Sequence, residues 1–174
     1  MNMKKIISFF IVACCAMCAT AAKVVWQIGV ADNSGTELAL GPSEYKKFLA
    51  HDFGYEDRYF LVGTSVDKND FPYVLPGPDD TWGGTWSTSG WRTHDANILF
   101  GIKKLPKHGK WKLVVDLVDA NPSRSVVKVM VNSAEKKFEI KGHSKGVLEG
   151  NLQDAKEQIL EFPISADDLK KGGN

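Results

Sequence analysis

Cysteine is scarce in this chain and confined to one end: all three, Cys14, Cys15 and Cys18, lie within the first eighteen residues. The same segment carries Lys4 and Lys5 ahead of the apolar stretch IISFFIVACCAMCATAA, with small residues at Ala19, Thr20 and Ala21. This is the layout of a secretory signal peptide over residues 1–21, cleaved before Ala22. Cleavage leaves residues 22–174 without a thiol, which excludes a disulfide framework and zinc sites built on thiolates. A domain of about 150 residues buries enough apolar surface to fold without such staples. Long hydrophobic runs are missing too. The apolar run of the leader is short for a bilayer and Lys23 follows directly, so no transmembrane anchor is expected and the domain is read as secreted or periplasmic. A lipoprotein signal ending at Cys14 is the minor alternative, and it would change only how the domain is anchored.

Excess charge of one sign is also lacking. The chain has 22 basic and 21 acidic side chains, and loss of Lys4 and Lys5 brings the formal charge to about −1. The lysines are scattered, as at Lys103, Lys104, Lys107, Lys110 and Lys112, which is a solvated surface and gives no case for nucleic acid. No nucleophile elbow, phosphate loop or His-Glu-x-x-His helix occurs, so no catalytic residue is assigned.

Helical periodicity is confined to one short stretch. In residues 41–53, GPSEYKKFLAHDF, a proline and serine precede Glu44, and Tyr45, Phe48 and Leu49 share a face, which predicts a short helix. Elsewhere the pattern is that of strands, at residues 24–30, 58–63, 96–102, 111–118, 126–131, 137–140 and 158–164, separated by Gly, Pro, Asn and Ser turns. In WKLVVDLV, Trp111, Leu113, Val115 and Leu117 alternate with Lys112, Val114, Asp116 and Val118, giving one core face. Ser165 is placed to cap a short turn starting near Ala166, with Leu169 directed to the core. Seven or eight strands without crossover helices predict one all-β domain, an antiparallel β-sandwich of the jelly-roll kind.

Aromatic residues are concentrated where regular structure is least expected. Residues 71–95 read FPYVLPGPDDTWGGTWSTSGWRTHD and hold three of the five tryptophans, Trp82, Trp86 and Trp91. Glycine, proline and aspartate make this a long loop, starting at Thr64, that carries flat indole faces among hydrogen-bonding neighbours. That mixture suits a pyranose, which has an apolar C–H face and hydroxyls at its edge. Trp82, Trp86, Trp91 and Tyr73 are the candidate stacking platforms. Arg92, His94 and Asp79 or Asp80 are the candidate polar partners, Arg92 above all for the carboxylate of a uronic acid. The competing reading folds the loop over the core with the indoles as plugs. For Arg92 the plain alternative is a surface pair with Asp95, and Asp79 with Asp80 is commoner as turn chemistry. His94 and Asp95 do not make a catalytic pair, because neighbours on a strand face opposite ways. The oxygen-rich turn at Asp32 and Asn33 has calcium-type ligands but the spacing of no defined calcium loop, so a plain turn is the stronger reading and no cofactor is assigned.

The chain closes on Gly172, Gly173 and Asn174, a turn signal, which leaves the sandwich open to lacking its last strand and to pairing of an exposed edge. Taken in order, VVWQIGVADNSGTEL, VLPGPDDTWGG, THDANILFGI, LVVDLVDANPSRSVVKVMVN and FPISADDLKKGGN resemble the galactose-binding-like jelly-roll domain attached to polysaccharide lyases of the rhamnogalacturonan lyase type. The resemblance covers residues 24–174. It implies a carbohydrate-binding accessory module of an exported, pectin-degrading bacterial system, and the cysteine-free mature chain suits such an origin. In that family a last strand follows LKxGxN, and this chain stops there. Its partners are then a polysaccharide or oligosaccharide and a catalytic domain or subunit. The alternative it implies is a truncated or split accessory domain of such a lyase, with a packing role.

Overall fold

The computed structural model of the chain describes residues 23–41, 44, 47, 57–73, 95–105, 110–120, 125–142 and 152–174. Among the described residues eight strands and a short α-helix follow in order: β1 Arg58–Leu61, α1 Asp67–Asp70, β2 Ala96–Leu99, β3 Gly101–Ile102, β4 Trp111–Leu117, β5 Ser125–Val131, β6 Ala134–Ile140, β7 Gln158–Ile164 and β8 Gly172–Gly173, with 3-10 turns at Leu152–Asp154 and Ala166–Asp168. The fold is all-β, as the strand pattern predicts. Among the described residues no helix is long and apolar enough to cross a membrane.

Two long antiparallel pairs make the layers. β4 pairs with β7 over their full length, Trp111 opposite Ile164 and Leu117 opposite Gln158. β5 and β6 form a hairpin, Val131 opposite Ala134, closed by the two-residue loop Asn132 and Ser133. Because side chains alternate across a strand, each pair has an apolar and a polar face. Trp111, Leu113 and Val115 of β4 turn inward with buried Phe162 of β7, and they meet Val129 and Val131 of β5 and Phe138 of β6. Lys112, Val114 and Asp116 face outward. Each fully buried side chain of this size stabilises the fold by about 1.5–3 kcal/mol. β6 and β7 are further joined by side chains that bond to backbone: Gln158 Nε2 donates to Lys141 O at 2.8 Å, and Lys136 Nζ donates to Glu161 O at 3.2 Å.

The expected strand 96–102 is divided. β2 pairs with β1 and β3 pairs with β8, so the chain changes partner at Phe100. β1 and β2 run parallel, a departure from the all-antiparallel reading that the long connection over residues 62–95 makes possible. Within that connection α1 is an unexpected element, its first turn closed by Val66 N–H donating to the Asp70 carboxylate at 2.7 Å.

The expected first strand is absent from residues 24–30, which are irregular. Gly29 has φ +71°, its N–H donates to the Asp67 carboxylate at 2.8 Å, and Val30 N–H donates to Glu37 at 2.8 Å. Side chains thus take the amides a strand would offer to a neighbour. Trp26 instead packs on Phe100, ring centres 5.4 Å apart. Of the helix expected over residues 41–53, the described Glu44 and Lys47 form an ion pair at 3.1 Å and Glu44 N–H donates to Gly41 O at 2.7 Å. The remainder lies outside the described residues. Near the end of the chain, Ser165 Oγ accepts from Asp167 N–H at 3.3 Å while Asp168 accepts from Ser165 N–H at 3.2 Å. This cap lets Leu169 reach the core, where it is buried.

Candidate functional site

Of the candidate sugar contacts, Tyr73 lies within the described residues. Asp79, Asp80, Trp82, Trp86, Trp91, Arg92 and His94 lie outside them. Both feet of that segment lie within the described residues. At the outgoing foot, Ala39 N–H donates to Phe71 O at 2.8 Å and Tyr73 N–H donates to Ala39 O at 3.1 Å, around a parallel bridge between Ala39 and Pro72. Ala39, Leu40, Phe60 and Pro72 are buried beneath it, and Phe60 meets the edge of Phe71 at 6.0 Å. Tyr73 is half-buried, its Cβ where a side chain in place of Gly35 would meet it at 3.2 Å, and its hydroxyl is withdrawn from solvent. At the returning foot, Asp95 N–H donates to the Asp57 carboxylate at 3.0 Å and Asp95 O accepts from Arg58 N–H at 2.7 Å. Both feet are therefore held by hydrogen bonds to the backbone, the outgoing one over buried apolar side chains. Asp95 is held by its backbone in this way, beside β1.

The turn at Asp32 uses its carboxylate locally. Asp32 Oδ1 accepts from Ser34 N–H at 3.0 Å, and Asn33 adopts φ +59°. This is an Asx turn. Among the described residues no three acidic, histidine or cysteine side chains gather as a metal-binding group.

A concave feature was not foreseen from the sequence. An open groove of about 490 Å³ lies where the end of the chain meets β2 and β3, lined by Leu61, Leu99, Phe100 and Gly101 on one side and by Asn132, Gly173 and Asn174 on the other. Among the described residues no charged side chain lines it. The terminal residues expected as a bare turn form β8 here, and Asn174 extends the pairing by exchanging backbone bonds with Phe100 at 2.8 and 3.1 Å. Gly172, at φ +98°, makes the entry into that strand.

Asn132 and Asn174 build the wall of the groove. Asn132 stands in the β5–β6 loop at φ +51°, a conformation asparagine tolerates. Its Nδ2 donates to Asp168 O at 2.7 Å and to Asn174 Oδ1 at 2.9 Å. Asn174 Oδ1 also accepts from Lys170 N–H at 2.8 Å, and its Nδ2 donates to Lys170 O at 2.9 Å and Gly172 O at 3.2 Å. The clamp ties the hairpin loop to the final segment. Its sequence signal was the pair Val131 and Asn132 together with the closing asparagine, visible as motif but not as a contact.

The antiparallel β-sandwich fits a carbohydrate-binding-like module. The family model described as CBM-like, polysaccharide lyase family 4, domain III, matches residues 24–174, and the chain belongs to this family. The resemblance read from the motifs is thereby established at the level of the family. No curated protein and no solved structure matches the chain.

Proposed function

We propose that the chain is an exported, non-catalytic carbohydrate-binding module that serves the breakdown of pectin-type plant or host polysaccharide. The observation that carries this reading is membership of the CBM-like domain III family across residues 24–174. Export rests on the signal-peptide pattern of residues 1–21. Sugar contact is assigned to the loop between Asp70 and Asp95, with Tyr73, Trp82, Trp86 and Trp91 stacking on ring faces and Arg92, His94 and Asp79 or Asp80 meeting hydroxyls or a uronate carboxylate. The rigid feet at Ala39–Pro72 and Asp57–Asp95 favour this assignment, since ordering a loop on binding costs affinity that a fixed base spares.

The second reading is an accessory domain that packs against the catalytic part of a lyase. It is favoured by the outward-facing Val114 and Ile159 on the β4–β7 pair, apolar side chains that a docked domain would cover. Separate alanine substitutions of Trp82, Trp86 and Trp91 decide between the two. The module reading expects each to weaken glycan binding by about tenfold or more with unchanged melting. Folding lost on substitution would mark core plugs, and normal folding with no glycan bound by any form would leave the packing domain.

A further inference from the structure

We infer that the outer face of β1 and β2 is a second glycan contact of this chain, a subsite for a neutral sugar in which Tyr59 stacks on the pyranose ring and the Asn97 amide meets its hydroxyls. The inference rests on the carbohydrate-binding reading above and adds a place and a ligand class to it.

The parallel register sets Tyr59 opposite Asn97 and Leu61 opposite Leu99. Directly paired residues project to the same side of a sheet, so these four share one face, while Phe60 points the other way into the core. Tyr59 is 67% exposed, Leu61 46% and Leu99 45%. A tyrosine left so open on a short strand keeps both an apolar ring and a hydroxyl available to a ligand. Leu61 and Leu99 also line the uncharged groove, which makes the face and the groove one continuous surface.

The amides around this surface divide by their hydrogen bonds. Asn174 has both ends of its amide committed, and Asn132 has both of its N–H groups committed, to holding the final segment. Asn97 is half-buried, stands beside Tyr59, and makes no side-chain hydrogen bond among the described residues. Its donor and acceptor are therefore open to a group that both gives and takes hydrogen bonds, as a sugar hydroxyl does. Among the described residues no lysine, arginine or histidine lines the groove, so a uronate carboxylate would enter it without a cationic partner. This divides the labour with the tryptophan segment, where Arg92 offers such a partner.

A different occupant would use the edge of β2 and not its face. Asp95 O and Leu99 O bond toward β1, whereas Phe100 bonds toward Asn174, so by alternation the backbone groups of Ala96 and Ile98 lie along the edge that β8 begins to cover. A strand from another chain would pair there. Tyr59 and Asn97 would take no part in that pairing, which makes the two occupants separable.

The test uses ¹⁵N-labelled chain from Ala22 to Asn174, titrated with a neutral galacto-oligosaccharide, a neutral xylo-oligosaccharide and an oligogalacturonate. The expected result is a saturable shift of the Asn97 side-chain amide with a neutral sugar. Tyr59→Ala should lower that affinity about tenfold with unchanged melting, and Tyr59→Phe should retain most of it. A neutral sugar that binds without moving the Asn97 signal or responding to Tyr59→Ala overturns the subsite and leaves the carbohydrate-binding reading intact. Binding of the oligogalacturonate alone does the same. No binding of any glycan overturns both. Shifts along Ala96 and Ile98 that grow with protein concentration, without sugar, replace the subsite with strand pairing between copies.

Discussion

Asparagine shows how far a residue's role depends on its neighbours. Asn132, Asn174 and Asn97 all border the same surface, yet the first two tie backbone to backbone and the third keeps its amide open. Asn132 does two things at once: it accepts a positive φ in the β5–β6 loop, and it bonds across 42 positions of sequence to Asn174. Replacing Asn132 with alanine removes both donors and leaves the left-handed conformation to a residue that disfavours it. The expected loss is about 1–3 kcal/mol in denaturant unfolding, from unpaired groups and backbone strain. Unchanged stability would show that the clamp is incidental. Nothing in the sequence identifies this contact, because a hydrogen bond between residues 132 and 174 depends on the fold bringing two loops together.

Elements were legible where one physical signal acts alone. β7 matches residues 158–164 from end to end, β4 follows its alternation, and Ser165 caps its turn as expected. Competing interactions account for the misses. VVWQIGV has strand composition, but Gly29 and the carboxylates of Asp67 and Glu37 claim its amides. ANILFGI reads as one strand, but a change of partner at Phe100 divides it. The parallel pairing of β1 with β2 was hidden for a related reason, since direction is set by a long connection and not by the strands themselves. The inner faces of β4, β5, β6 and β7 hold the sandwich together. Phe162→Ala, which empties a buried site opposite Leu113, is expected to cost about 3–5 kcal/mol, read as a lowered denaturant midpoint. A cost below about 1 kcal/mol would mean that the two layers are not held by this core.

At the scale of the whole molecule, the family was more legible than the place of any site. Ordered motifs identified the family that residues 24–174 belong to. The groove beside Asn132 and Asn174 escaped notice because its walls come from four separate parts of the chain. Tyr59 and Asn97 escaped it for the same reason, as each is unremarkable until the parallel register sets them side by side. The resulting account is of a sandwich whose β1 and β2 turn Tyr59, Asn97, Leu61 and Leu99 to one outer face, beside the groove at the end of the chain. The measurement that tests it most directly is intrinsic tryptophan fluorescence of the chain from Ala22 to Asn174 during titration with pectic, xylan and host-type oligosaccharides. The account predicts a saturable spectral shift with at least one of these classes. A folded, blue-shifted spectrum that no glycan perturbs would contradict it.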